Sequence, residues 1–291
     1  MGALLESAFA IRRFWGDRRW PPPFPLLIVV LFLFSAIFGP LLAPHSPTEG
    51  TLAKRLLPPV GLDGAEADYI LGTDGQGRDI LSRLIHGARI TLLVSVAGIA
   101  VTSVLGTVIG LLAGFLGGWA DFIAMRVVDV SLSIPGMLIA VLLAAVFGAS
   151  ATNVTIVIVI VLWPDYARLV RGETLALREQ DYVALARVAG CSNMTIMRRH
   201  ILPNLVPSVL VLASLHVGLA IVLEASLSFL GVGVPPPSSS WGLLINEGRG
   251  VLERAWWVSM LPGLVIALTV ISLNMLGDWT RDRLDPTLRQ L

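Results

Sequence analysis

Six stretches of this chain, at about 25–43, 90–114, 130–147, 153–171, 205–231 and 258–278, are mostly apolar over close to 20 residues each. A helix of that length rises far enough to cross the roughly 30 Å hydrocarbon layer of a bilayer. With 55% hydrophobic residues, 14% charged residues and a mean hydropathy of +0.79, the 291-residue chain is far less charged than a soluble globule, in which about a quarter of residues are charged. These features predict an all-α integral membrane protein with six transmembrane helices. The net charge of +1 gives no case for nucleic-acid binding, and a lone cysteine, Cys191, excludes an intrachain disulfide or a cysteine-rich metal centre.

The first apolar run follows Arg12, Arg13, Arg18 and Arg19, as a secretory signal would. It is longer than a signal's apolar region, and Pro44 stands where a small-residue cleavage site belongs, so it is read as an uncleaved span. With the N-terminus inside, the cytoplasmic segments hold fourteen arginines: the four just named, Arg126, Arg168, Arg171, Arg178, Arg187, Arg198, Arg199, Arg281, Arg283 and Arg289. Seven cations lie outside: Lys54, Arg55, Arg78, Arg83, Arg89, Arg249 and Arg254. The excess of basic residues places both termini and the segment 172–204 in the cytoplasm.

Within that segment, DYVALARVAGCSNMTIMRRHILPN at 181–204 reads as two short helices about a glycine. Asp181 is suited to N-cap a helix over 182–189, and Gly190 to end it in a left-handed C′ position. Ser192 can cap a second helix from Asn193 to about Leu202, where Pro203 stops regular pairing and Pro207 enters the next span. Ala184, Ala186 and Ala189 leave one side of the first helix nearly flat. Such a helix needs a surface to pack on, so a docking surface and a plain loop are equally consistent with the pattern.

The stretch resembles the cytoplasmic EAA loop of permease subunits in ABC importers, with Gly190 and Pro203 at that loop's spacing. The resemblance implies a coupling helix seated in a cleft of an ATP-hydrolysing subunit, with Ala184, Leu185, Ala186, Gly190, Ser192, Arg198, Arg199, His200, Leu202 and Pro203 at the contact. The family's Glu-Ala-Ala falls on Ala184, Leu185 and Ala186, so its acidic residue and first alanine are replaced and shape is left to carry the contact.

Further segments narrow the resemblance to the C-type permease of dipeptide, oligopeptide and nickel importers. They are LGTDGQGRDILSRLIHGARITL at 71–92, WPDYARLVRGETLALREQDYV at 163–183, EASLSFLGVGVPPPSSSWG at 224–242 and NMLGDWTRDRLDPTLR at 274–289. This implies a type I ABC importer permease fold in a bacterial inner membrane. Residues 1–89 would form an N-terminal segment, first span and outer loop, and 90–291 a five-helix core. The implied partners are a second permease, two ATP-binding subunits, an extracytoplasmic substrate-binding protein and the lipid bilayer. ATP hydrolysis would belong to the partners, and no cofactor or metal is expected in this chain.

The remaining features have competing explanations. In GTDGQGRD at 72–79 the glycines favour turns that anchor the second span, in preference to an element sealing the path or meeting a binding protein. No Gly-x-x-x-x-Gly precedes Lys54, so there is no P-loop. His216 and Glu224, eight residues apart on the fifth run, share roughly one helix face. They are candidates for the translocation path, with structural hydrogen bonding an equal alternative for Glu224. Scattered methionines and His45, His86 and His200 show no metal-site spacing. A rhomboid-like protease would need a histidine in the last span, which 258–278 lacks, and a secondary transporter would show internal repeats, which are not seen.

Overall fold

The computed structural model describes residues 20–284. Arg12, Arg13, Arg18, Arg19, Arg289 and the end of the C-terminal motif lie outside these residues. The main helices are α1 (Pro23–Leu42), α2 (Ile80–Leu116), α3 (Gly118–Ser133), α4 (Gly136–Phe147), α5 (Ala151–Arg178), α6 (Asp181–Val188), α7 (Asn193–Phe229), α8 (Trp241–Gly248) and α9 (Trp257–Leu284). Among the described residues, β pairing amounts to an isolated bridge between Thr73 and Asp79. Five helices are long and apolar enough to cross a bilayer, and α3 with α4 makes a sixth if that pair is one span.

The pair α3–α4 is bent by 82°, so the straight span expected at 130–147 is replaced by a broken one. The break falls at Pro135, which has no amide hydrogen to donate and disfavours helical geometry in the residue before it. Ile134 is accordingly extended, at φ −98° and ψ 121°.

Helix α2 begins ten residues before the apolar run at 90–114. Asp79 caps it by accepting from the Ser82 amide at 2.8 Å, and the polar residues of its first turns are buried. The boundary expected between residues 89 and 90 therefore falls inside one continuous helix. At 37 residues α2 is about 55 Å long, more than a bilayer's hydrocarbon layer requires, so it joins the two polar ends of the molecule.

Packing follows α2 from end to end. Near its start, Ile80, Leu84 and Ala88 meet Phe32 and Ala36 of α1, Trp241 and Leu244 of α8, and Trp257 and Val258 of α9. In its middle, Val94 and Ile99 meet Val154, Val157, Ile158 and Leu162 of α5 and Ala220 of α7. At its end, Leu111 and Phe115 meet Val170 of α5 and the segment from Val183 to Leu205.

The α2–α5 contact depends on glycines at 98, 106, 110 and 114. A Cβ on Gly110 would come within 2.5 Å of the Ala167 carbonyl oxygen, one on Gly114 within 2.9 Å of that of Arg171, and one on Gly98 within 2.6 Å of Ile158 Cγ2. Small residues four apart let two membrane helices approach backbone to backbone, where dispersion and weak polar contacts accumulate. Elsewhere the bundle presents large apolar side chains outward, including Val104, Leu138, Leu142 and Phe147, as a lipid-facing surface does.

Candidate functional site

At the end of α2 the chain forms the predicted elbow, more firmly braced than its sequence shows. Gln180, in extended conformation, is the N-cap of α6, and Asp181 is its first residue, so the helix starts one residue earlier than expected. An acidic group in the first turn still complements the helix dipole. The helix closes with a Schellman motif in which the Gly190 amide donates to the Arg187 carbonyl and the Cys191 amide to the Ala186 carbonyl, both at 3.0 Å. Gly190 has φ +79°, the left-handed geometry this closure requires. Ser192 then caps the next helix, its Oγ accepting from the Thr195 amide at 3.3 Å.

Pro203 does not end that helix. Residues Met197–Ile201 widen into a π turn, the Leu202 amide donates back to the Met197 carbonyl, and α7 continues to Phe229. The wider turn lies directly before Pro203, which has no amide to continue the ladder, and Pro207 follows within regular helix. The His200 carbonyl in this turn accepts from Asn204 Nδ2 at 2.7 Å and Tyr182 Oη at 3.5 Å. Elbow and span are thus one stiff lever.

The three alanines do not share a side. Ala186 turns inward with Val183, against Leu111, Phe115, Val170, Ile196, Met197, Ile201 and Leu205, while Ala184 and Ala189 face out. This burial arises because residues 183 and 186 are neighbours on a helix surface. The outward face carries Leu185, 68% exposed, and Val188, 87% exposed, with Met194 beside them. Arg198 and Arg199 are exposed, His200 and Leu202 partly buried, Pro203 exposed and Ser192 exposed. Arg178 ties the elbow to α2 by donating from Nη1 to the Gly114 and Phe115 carbonyls at 3.1 and 3.3 Å.

At the opposite end of α2 lies a buried ionic cluster. Asp74 Oδ2 accepts from Arg78 Nε at 2.7 Å and from Arg83 Nη1, and Glu247 Oε2 accepts from Arg78 Nη2 at 2.8 Å and from Arg83 Nη1. Two arginines and two carboxylates cancel in charge, which makes their burial tolerable. The Trp257 indole donates to the Thr73 carbonyl at 3.3 Å and the Trp241 indole to that of Leu84 at 2.9 Å. Residues 72–79 thus anchor α2 to α8 and α9, as the turn reading of that segment holds. Farther out, Lys54 donates to Glu66 at 2.9 Å, and this hydrogen bond raises the ammonium above its ordinary pKa.

Between the ends, His216 and Glu224 have separate surroundings. Glu224 is fully buried, accepting from Thr91 Oγ1 of α2 at 3.2 Å and Ser228 Oγ at 2.8 Å. Ser228 Oγ also accepts from the Val234 amide, so this carboxylate secures the turn after α7. His216 faces α5, its Nε2 3.8 Å from Asp165 Oδ2 and its ring edge-on to Tyr166 at 5.3 Å. Three features escape the sequence reading: Asp165, the Arg83–Glu247 pair and the glycine stripe. The spacing Gly-x-x-x-Gly-x-x-x-Gly at 106–114 was available as a signal for the stripe. No local pattern announces an ion pair 164 residues apart.

Comparison with known proteins agrees with this arrangement. Residues 106–290 match the family described as "Binding-protein-dependent transport system inner membrane component", and residues 25–59 the "N-terminal TM domain of oligopeptide transport permease C". The chain is 42% identical over 264 residues to a di/tripeptide transport system permease protein of Pseudomonas aeruginosa, covering 91% of this chain and 87% of that one. It is 43% identical over 265 residues to a dipeptide transport system permease protein of Escherichia coli, covering 91% and 88%. It is 41% identical over 263 residues to a glutathione transport system permease protein of Pectobacterium atrosepticum, covering 90% and 86%. In fold it is similar to an inward-facing MetNI methionine ABC transporter chain, with TM-score 0.57 and 18% identity over 70% of this chain and 96% of that chain.

Proposed function

The chain belongs to the binding-protein-dependent transport system inner membrane components, and from that premise we propose that it forms half of the translocation path of an ABC importer for di- or oligopeptides or glutathione-like solutes. As a multi-pass inner-membrane permease it hydrolyses no ATP; an ATPase and a binding protein are its partners. A second permease completes the path, and two ATP-binding subunits dock below, one on the elbow at 181–204. The elbow faces the cytoplasm, as do both termini, and the ionic cluster faces outward toward the binding protein. The first span and outer segment up to residue 89 brace the core, as the packing of α1 on α2 and α9 supports.

The observation that carries this reading is the stiff elbow with an exposed apolar tip at Leu185 and Val188. ATP-driven closure of the partners displaces α6, and the displacement passes through the Val183 and Ala186 contacts into α2 and α5 and through the unbroken α7 into the membrane. Packed elements of this kind move as rigid bodies, which alternating access requires.

The test is a Val188→Cys variant in a Cys191→Ser background, expressed with its neighbouring transport subunits and crosslinked in native membranes. The expected adduct joins this chain to the ATP-binding subunit, and its yield changes between nucleotide-free and ATP-bound states. Crosslinking only to lipid-exposed or outer proteins would overturn the assignment. The substrate class is checked by ATP-dependent uptake of labelled dipeptide and glutathione into vesicles supplied with the cognate binding protein.

A further inference from the structure

An ionisable pair sits within two membrane-spanning helices. His216 is about two residues from the centre of the apolar run 205–231, and Asp165 Oδ2 of α5, one helical turn before Arg168, lies 3.8 Å from its Nε2. Charged groups within a span are costly, and where retained they face the bundle interior or a water-filled path. Glu224 avoids the cost by complete burial among hydroxyl donors, whereas the Asp165 side chain stays 45% exposed.

We propose that Asp165, positioned by His216, is the point in the translocation path that recognises the positively charged amino group of the solute. The proposal rests on the peptide-importer reading above and assigns within it a specificity-determining residue.

Three further observations support it. The arginines that follow on α5 are already engaged: Arg168 Nη2 donates to Asp129 at 2.8 Å, and Arg171 Nη2 to Asp121 at 2.6 Å. Neither arginine therefore pairs with Asp165, whose ion-pair contact among the described residues is His216. Its surroundings are also fixed. The next residue, Tyr166, is held by the close approach of its Cβ to Gly106 of α2 and by its edge contact to His216, the residue that Asp165 itself faces. Finally, Tyr166 Oη and His216 Nδ1 are buried with no hydrogen-bond partner within the described residues, so polar atoms line the α5–α7 seam beside Asp165.

The chemistry suits a solute in transit. The α-amino group of a peptide, with a pKa near 8, is protonated at neutral pH. A half-exposed carboxylate binds it well enough to replace its water and weakly enough to release it, the balance that conduction demands.

The experiment uses the complete transport complex in proteoliposomes, with Asp165→Cys in a Cys191→Ser background. The new thiol is modified by thiosulfonate reagents of similar size bearing either a sulfonate or a trimethylammonium group. The sulfonate adduct is expected to import a free-amine dipeptide within about twofold of the parent, and the trimethylammonium adduct about tenfold more slowly, the factor that one modest charge contact provides. ATP hydrolysis stimulated by the loaded binding protein, read in parallel, reports whether each adduct still assembles with the ATP-binding subunits. Equal losses with the two reagents, or loss of stimulated hydrolysis, would assign Asp165 a structural role and overturn the proposal. If the cysteine variant fails to assemble, Asp165→Glu and Asp165→Asn pose the same question: the former should retain uptake, the latter lose it about tenfold, and equal activity would sink the idea. A wild-type complex that imports no amine-bearing solute would instead overturn the peptide reading itself.

Discussion

Gly190 is the residue at which local geometry meets the coupling role proposed for the elbow. Its φ of +79° closes α6, and the space beside it is open, so a side chain there would meet only backbone strain. Gly190→Val should cost about 1–2 kcal/mol locally and let the Cys191-to-Ala186 hydrogen bond fray. The expected outcome is ATP hydrolysis that continues while uptake per ATP falls severalfold, with Gly190→Asn near normal because asparagine tolerates the left-handed region. Equal coupling in both variants would show that the cap is dispensable. Gly190 and Ser192 were legible in the sequence because capping is decided by a few neighbouring residues. The inward turn of Ala186 was not, since it depends on Leu111 and Phe115, which arrive from a helix some 70 residues away.

Among the elements, α2 and α5 depend on an absence of side chains. Gly110→Leu places a branched chain against the Ala167 carbonyl and Val170, and overpacking of this kind costs about 1–3 kcal/mol or separates the helices. Thermal unfolding in detergent should show a lower midpoint for Gly110→Leu than for Leu112→Ala on the exposed side of the same helix. The ionic cluster at the other end of α2 makes a complementary prediction. Asp74→Asn leaves Arg78 and Arg83 sharing Glu247 alone, and breaking a buried pair costs about 3–5 kcal/mol. Adding Arg83→Met should recover part of that loss, so the double mutant will be less destabilised than the sum of the singles. Strict additivity would mean that the charges do not interact. Five of the six expected spans were readable from apolar length, and the sixth falls on the bent α3–α4 pair. Their ends were not, because polar residues such as Ser82 and Arg83 continue α2 only by virtue of partners at 79 and 247, and because α7 runs on past a π turn and two prolines.

At the scale of the whole molecule, α2, about 55 Å long, links the elbow with its apolar tip at one end to the charge-neutralised cluster at the other. The two ends then lie on opposite sides of the membrane, and the topology proposed above from the arginine distribution puts the elbow in the cytoplasm. The lone Cys191 lies in that elbow and supplies its own probe. A membrane-impermeant maleimide should label the wild-type chain in inside-out vesicles and leave it unlabelled in right-side-out ones, with full reaction after detergent addition. Ala53→Cys in a Cys191→Ser background, exposed beside Lys54 in the outer segment, should show the reverse pattern. Exchange of the two patterns would invert the topology and remove the elbow from the ATPase. Labelling of both positions from one side would contradict the single long α2 that separates them, and with it the mechanical connection on which coupling depends.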